Sequence, residues 1–240
     1  GLNATILPGL KADLAFNVDH RVRESNSSLG QENDADFFRS IVSVPQWVPL
    51  SIDGKPVDFG TNPLALLNSG YYDKRKTQGY RINASLSYQP QFIKGLTARF
   101  QISQGGTTGN DALYKAPYDE YAFNTFGNNN LLYTNEPRTT NPVVSVVSMA
   151  NAETRAGLSR NNSYQGFFTL QYGKTFGQHT VDLTVGGEQT ESNTESSQNI
   201  WVGQLVPEID DPWAYDINRT QHPQRSVFES SKRSFFGRFN

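Results

Sequence analysis

Three histidines, His20, His179 and His222, are the only imidazoles with which this chain could run acid–base chemistry. A Ser-His-Asp site needs one of them held by a carboxylate beside a serine. His20 and His179 sit at the ends of strand-like stretches, His222 precedes Pro223, and no G-x-S-x-G elbow accompanies them. Glu208, Asp210 and Asp211 offer hard oxygen ligands, but their spacing fits no EF-hand loop, and a solvated acidic loop is the expected reading. Asp119, Glu120 and Glu208 are acids of the right type for glycoside hydrolysis, a reaction that depends on their separation in space. Gly105-Gly106 and Gly186-Gly187 lack a phosphate-loop context and read as strand-end breakers. Cysteine is absent, which removes disulfides and thiolate metal sites. The sequence therefore names no catalytic residue, no metal ligand set and no cofactor, and the chain is expected not to be an enzyme.

The remaining chemistry is aromatic. Trp47, Trp201, Trp213 and Tyr215 fall in polar, loop-like stretches, where an apolar ring with a polar tip can stack on a sugar or meet a partner protein. They are the candidate substrate or partner contacts.

The elements that must carry these residues are strands. From Ser163 to Gln189 the chain reads as one hairpin: Phe168, Leu170 and Tyr172 alternate with Phe167, Thr169 and Gln171, and Lys174 to Gln178 forms a polar turn. After the turn, Val181, Leu183 and Val185 alternate with Asp182, Thr184 and Gly186. Alternation of this kind gives a strand one apolar and one polar face. The pattern recurs from Leu10 to Asp19, from Gly79 to Tyr88 and from Leu96 to Ser103, and Ser234 to Asn240 begins another strand. This predicts about six strands. A weak internal echo links them: Ile6-Leu7-Pro8-Gly9-Leu10 aligns with Phe92-Ile93-Lys94-Gly95-Leu96, with a looser third copy at Phe176-Gly177.

Between the strands, alternation dissolves from His20 to about Gln78, from Gly105 to Asn162 and from Thr190 to Arg233. Within these segments Asn62-Pro63 predicts the start of a short helix running to Leu67, and the apolar run Pro142 to Met149 predicts a short strand or helix. Connections thus alternate long and short. Outer-membrane barrels join their strands in this way, with short periplasmic turns and long extracellular loops. A mean hydropathy of -0.58 and the lack of any apolar run near ~18 residues exclude a transmembrane helix but suit barrel strands, which are polar on average. A net charge of -2 argues against a nucleic-acid partner.

The order Asn62-Pro63-Leu64-Ala65, Gly70-Tyr71-Tyr72, Phe92 to Phe100 and Ser234 to Asn240 resembles the barrel of the SusC-like TonB-dependent outer-membrane transporters of Bacteroidetes. That resemblance implies an all-β, antiparallel up-and-down transmembrane barrel in the bacterial outer membrane, of which residues 1–240 are a partial barrel domain. It implies uptake of an oligomeric glycan or peptide, a SusD-like lipoprotein partner, and a TonB complex acting through a plug not present in this stretch. The faces follow from the pattern: Leu14, Phe16, Leu86, Phe100, Leu170 and Leu183 toward membrane lipid; Asn17, Arg81, Arg99, Gln171 and Asp182 toward the lumen. Two open sheet edges would make the stretch alone aggregation-prone. Two other readings fit the alternation: a soluble or surface-exposed β-sandwich that binds carbohydrate, and an enzyme with its site in the long loops.

Overall fold

The computed structural model describes residues 1–25, 38–39, 41–60 and 62–240. In chain order its strands are β1 (Leu2–Leu7), β2 (Leu10–Ser25), β3 (Ser51–Ile52), β4 (Lys55–Pro56), β5 (Tyr72–Tyr88), β6 (Leu96–Lys115), β7 (Tyr118–Tyr121) and β8 (Phe123–Phe126). They continue with β9 (Leu132–Pro137), β10 (Val143–Val147), β11 (Glu153–Phe176), β12 (His179–Val202) and β13 (Gln221–Phe239). The main sheet has seven strands in the order β1-β2-β5-β6-β11-β12-β13, so each long strand pairs with the next long strand in the chain. Every pairing is antiparallel. The result is an up-and-down wall of a barrel, open at β1 and β13. A sandwich needs a second sheet packed face to face on the first; the other three sheets are two-stranded ribbons within the long connections.

From β2 to β12 register carries the apolar pattern across strands without a slip; the shifts in the main sheet lie at Gln198/Ile200 against β13 and at Thr5/Leu7 in β1. Leu14 pairs with Ala84, Leu86 with Phe100, Phe100 with Phe168, Leu170 with Val185, and Leu183 with Phe239. Paired residues share a face, so Leu14, Phe16, Leu86, Phe100, Leu170 and Leu183 all lie on one side. Asn17, Arg81, Arg99, Gln171 and Asp182 occupy the other side by the same pairings. The apolar side is not covered: Phe16 is 60% exposed and Phe100 46%.

Two rows of tyrosine bracket this apolar face. Tyr80 pairs through Gly106 with Asn162, two positions from Tyr164, and Tyr88 pairs through Ala98 with Leu170, two positions from Tyr172. The second tyrosine thus follows the first by eight positions on both β5 and β11, on the same side. Eight residues of tilted strand span about 20 Å along the barrel axis. Tyr80 lies across Gly106 of the neighbouring strand, where any added Cβ would collide with its ring.

The strands run well beyond the alternating stretches. β2 continues to Ser25, β5 begins at Tyr72, β6 reaches Lys115, β11 starts at Glu153, β12 ends at Val202 and β13 begins at Gln221. The connections between the long strands are accordingly shorter than expected, the second running from 116 to 152 and the third from 203 to 220, with the first ending at 71. Past Tyr80 the formerly apolar side becomes mixed: Gln78, Thr108 and Ser197 interrupt it, with Val22 and Leu158 among them. The ladder of backbone hydrogen bonds persists where the alternation stops. A seventh strand, β1, precedes the first predicted one, with Leu2 opposite Leu14 and Ala4 opposite Ala12.

Three short connections share one end of the sheet. Pro8-Gly9 joins β1 to β2, residues 89–95 join β5 to β6, and Gly177-Gln178 joins β11 to β12. Gly9 and Gly95 both have positive φ, at 86° and 92°. Each accepts, through its carbonyl, a backbone hydrogen bond from the strand beyond: Gln89 donates to Gly9 at 2.7 Å and Gly173 to Gly95 at 3.0 Å. A Cβ at either glycine would land on the carbonyl oxygen of that same donor residue. The sequence echo is therefore a repeated turn, in which glycine serves both the left-handed conformation and the close approach. The third copy, Gly177, has positive φ but open space around it.

Candidate functional site

The tightly packed part of the chain is at the opposite end, in the long connections. Val57, Ala65, Leu66, Ala116, Phe123, Ala152 and Ala214 are nearly or fully buried there, whereas the sheet leaves large apolar side chains exposed. Asn62 organises the first half of this core. Its side-chain oxygen accepts from the N–H groups of Leu64 and Ala65 at 2.9 and 3.3 Å, capping the helix Pro63–Asn68 as its sequence predicts. Its amide nitrogen donates to the carbonyls of Leu50 and Val57 at 2.7 and 2.9 Å, and its backbone N–H donates to Glu120 Oε1 at 2.7 Å. Segments 41–71 and 116–152 are joined further by a bridge between Val57 and Tyr121.

Glu120 is fully buried. Its Oε2 has no hydrogen-bond partner among the described residues. Burial pushes its carboxyl above the ordinary carboxylate range; the N–H of Asn62 opposes this, Asp58 adds to it, and the N–H of Phe59 again opposes it. Glu120 was one of the loop acids considered for glycoside hydrolysis. Enclosed at 0% exposure it is not presented to any substrate.

The second half of the loop core straps segment 203–220 onto the strand ends. The Tyr72 hydroxyl donates to the Asp210 carboxylate. Gln204 donates to the Tyr114 hydroxyl at 3.1 Å and to the Ile209 carbonyl at 2.6 Å, and the Tyr72 and Tyr114 rings stand 5.8 Å apart. Backbone bonds from Gly203 to Ala152 and from Gln204 to Met149 tie this segment to the one before it. Asp210 is thus engaged by a strand residue rather than freely solvated.

The candidate aromatics separate on inspection. Trp213, in a 3-10 turn at Pro212–Ala214, is 66% exposed, and Trp47, in a turn after Pro45, is 55% exposed. Leu205 and Ile217 stand open in the same segment as Trp213. Trp201 is not in a loop: it belongs to β12, opposite Thr154, and is half-buried. Tyr215 is 4% exposed and packs in the loop core, so its ring face is not on offer; burial raises its hydroxyl pKa, and that oxygen has no partner among the described residues.

The four candidate lumen residues share the polar face but do not form one cluster. Arg81 lies opposite Asn17 and Gly105 near the upper tyrosine row. Arg99 lies opposite Ser87 and Thr169, Gln171 opposite Thr97 and Thr184, and Asp182 opposite Gly173 at the short-turn end. Near Arg99 a polar groove of about 600 Å³ runs along the sheet, lined by Asn3, Asp13, Asn83, Gln101 and Gln165. Its side chains bond across strands: Ser85 donates to Asp13 at 2.9 Å, and Ser103 to Asn83 at 2.7 Å. Among the described residues no cluster of three or more His, Asp or Glu could hold a metal ion.

No protein-family model and no curated protein matches the chain. Solved structures do. A structure of the RagAB peptide transporter superposes on 99% of this chain with a TM-score of 0.67 at 17% identity. The RagAB peptide importer in its open-open state gives 0.66 at 18%, and in its closed-closed state 0.66 at 19%. The chain spans about a quarter of the length of those structures, 24–25%. At this identity the likeness is one of fold: the open antiparallel sheet of this chain has the architecture of about a quarter of those chains.

Proposed function

We propose that this chain is part of the barrel of a SusC-like, TonB-dependent importer of the bacterial outer membrane. In that reading the barrel passes an oligomeric nutrient through its lumen. The observation that carries it is the uncovered apolar face between two tyrosine rows, with every long connection at one end. A water-soluble sheet would bury such a face; a membrane barrel turns it to lipid between aromatic girdles.

The polar face then lines the lumen, with Arg81, Arg99, Gln171 and Asp182 on the route of a polar substrate. The loop end faces outward, with Trp213 and Trp47 accessible to a substrate or to a SusD-like lipoprotein that delivers it. The description of the superposable structures as peptide transporter and importer favours a peptide over a glycan as that substrate. Energy from a TonB complex would reach the lumen through a plug domain.

Topology tests this directly, because this stretch has no cysteine of its own. Asn218 and Lys174 are both exposed, at opposite ends of the sheet. Single cysteines at the two positions, treated on whole cells with a membrane-impermeant thiol reagent, should label at 218 and not at 174. Labelling at 174 alone would invert the topology and remove the basis for an external binding surface.

A further inference from the structure

The first polar row above the upper tyrosines is built as an anion site. On the apolar side of the sheet, the row two residues beyond Tyr80 reads His20, Gln78, Thr108, Arg160 across β2, β5, β6 and β11. The next row reads Val22, Lys76, Asn110, Leu158. A groove of about 670 Å³ opens at this level, bounded by Tyr80 below and by His20, Thr108, Asn162 and Arg160 around it; Asp19 also lines it, with its side chain lying over Gly79 on the opposite face. Gly106 forms part of its floor.

Charge is sorted between the two sides of these four strands. They carry the acids Asp13, Asp19, Glu24, Asp73, Asp111 and Glu153. Register puts all of them except Glu24 on the opposite, polar side. Glu24 is already neutralised by Lys74 at 3.1 Å. On the same side the neighbouring strand presents Glu195 opposite Arg160, held by Arg225 at 2.7 Å, and Glu191 opposite Tyr164, where Glu191 accepts from the Gln189 amide at 2.6 Å. Lys76 and Arg160 are left as cations without an ion pair or hydrogen bond among the described residues, and His20 adds an unengaged imidazole.

We propose that this groove binds the phosphate headgroup of a membrane lipid whose acyl chains lie along the apolar face below. The proposal rests on the membrane reading above. The geometry supplies both halves of such a ligand: Phe16, Ile82 and Phe100 for the chains, then a tyrosine level, then guanidinium, ammonium and hydroxyl donors at headgroup height. A planar guanidinium matches phosphate oxygens in a bidentate way. A free anion would use the upper half alone and gain nothing from the tyrosine level or the band beneath it.

The test uses the full-length protein that carries this chain, purified in detergent, with bound lipid read by native mass spectrometry. Phosphatidic acid and phosphatidylcholine of equal chain length are the probes. Wild type should retain phosphatidic acid preferentially. Arg160→Gln and Lys76→Gln should each weaken retention roughly fivefold, from the contribution of one cation at an anionic surface. Arg160→Lys should recover most of it, and Asp111→Asn, on the opposite side, should change nothing. Equal retention by the double glutamine variant would overturn the site, as would displacement of the lipid by millimolar inorganic phosphate. Vesicle flotation of the wild type separates the two levels of the argument. Protein that floats without a lipid preference sinks the headgroup site alone; protein that does not float sinks the membrane reading and the site together.

Discussion

The hydroxyl of Tyr72, the first residue of β5, donates to the carboxylate of Asp210, 138 positions further along the chain. This bond fastens segment 203–220 to the strand ends, and a hydrogen bond to a charged group contributes roughly 1.5–3 kcal/mol. Tyr72→Phe keeps the ring against Tyr114 and removes the donor. Segment 203–220 should then become cleavable under limited proteolysis at protease levels that spare the wild type, while the sheet stays intact. Unchanged cleavage would mean that the Gln204 side chain and the backbone bonds to Met149 and Ala152 hold the strap without it.

Gly95 and Gly177 both sit in short turns with positive φ, at 92° and 63°, but only Gly95 is crowded by a neighbouring backbone. Gly177→Ala should cost about 1–2 kcal/mol, the penalty for a left-handed L-residue. Gly95→Ala adds a collision with the Gly173 carbonyl and should cost clearly more. The temperature at which the folded band disappears on an unheated-versus-heated gel series measures both. Equal losses would show that the turn relaxes away from β11.

Glu120 gives the loop core a pH dependence. Its folded carboxyl keeps the proton to higher pH than the unfolded chain does. The associated stability is complete below the ordinary carboxylate pKa and is lost as pH rises through the raised folded value. Amide exchange in the helix Pro63–Asn68 should therefore quicken, relative to the sheet, as pH climbs through that window after correction for intrinsic rates. Glu120→Gln should flatten the profile. A wild-type profile already flat would place the ionised carboxylate comfortably in this core.

The two faces of the sheet should respond oppositely to charge. Phe100→Lys, on the apolar side, should cost about 2–4 kcal/mol if that residue stands at the bilayer midplane. Gln101→Lys, its neighbour on the polar side, should stay within about 0.5 kcal/mol, as surface changes do. Urea titration of protein folded into vesicles measures both. Comparable costs on the two sides would remove the distinction between lipid and lumen.

Much of this architecture is legible in the residues because one face must be apolar over a limited height. Between Tyr80 and Tyr88 that requirement writes an alternating signal, and the strands found there are the ones expected. Above Tyr80 the strand is held by backbone pairing while both faces are solvated, so Gln78, Asn110 and Ser197 carry no periodic mark and read as loop. β1 alternates too, with Leu2, Ala4 and Ile6, but six residues are too few to stand out. The cap at Asn62 was readable from its following proline. The burial of Glu120 and Tyr215 was not, since both depend on contacts between segments tens of residues apart.

The unbroken pairing from Glu153↔Val202 down to Phe176↔His179 has an evolutionary corollary. Deleting or inserting one residue inside that ladder would turn every side chain beyond it inside out, lipid side for lumen side. The wall can therefore change only by substitution, letter for letter, while a change of length in the exposed turns of the long connections leaves its two faces as they are. Relatives of this chain should differ in length almost entirely at one end of the sheet, and strand length should act as a ruler that mutation is not permitted to redraw.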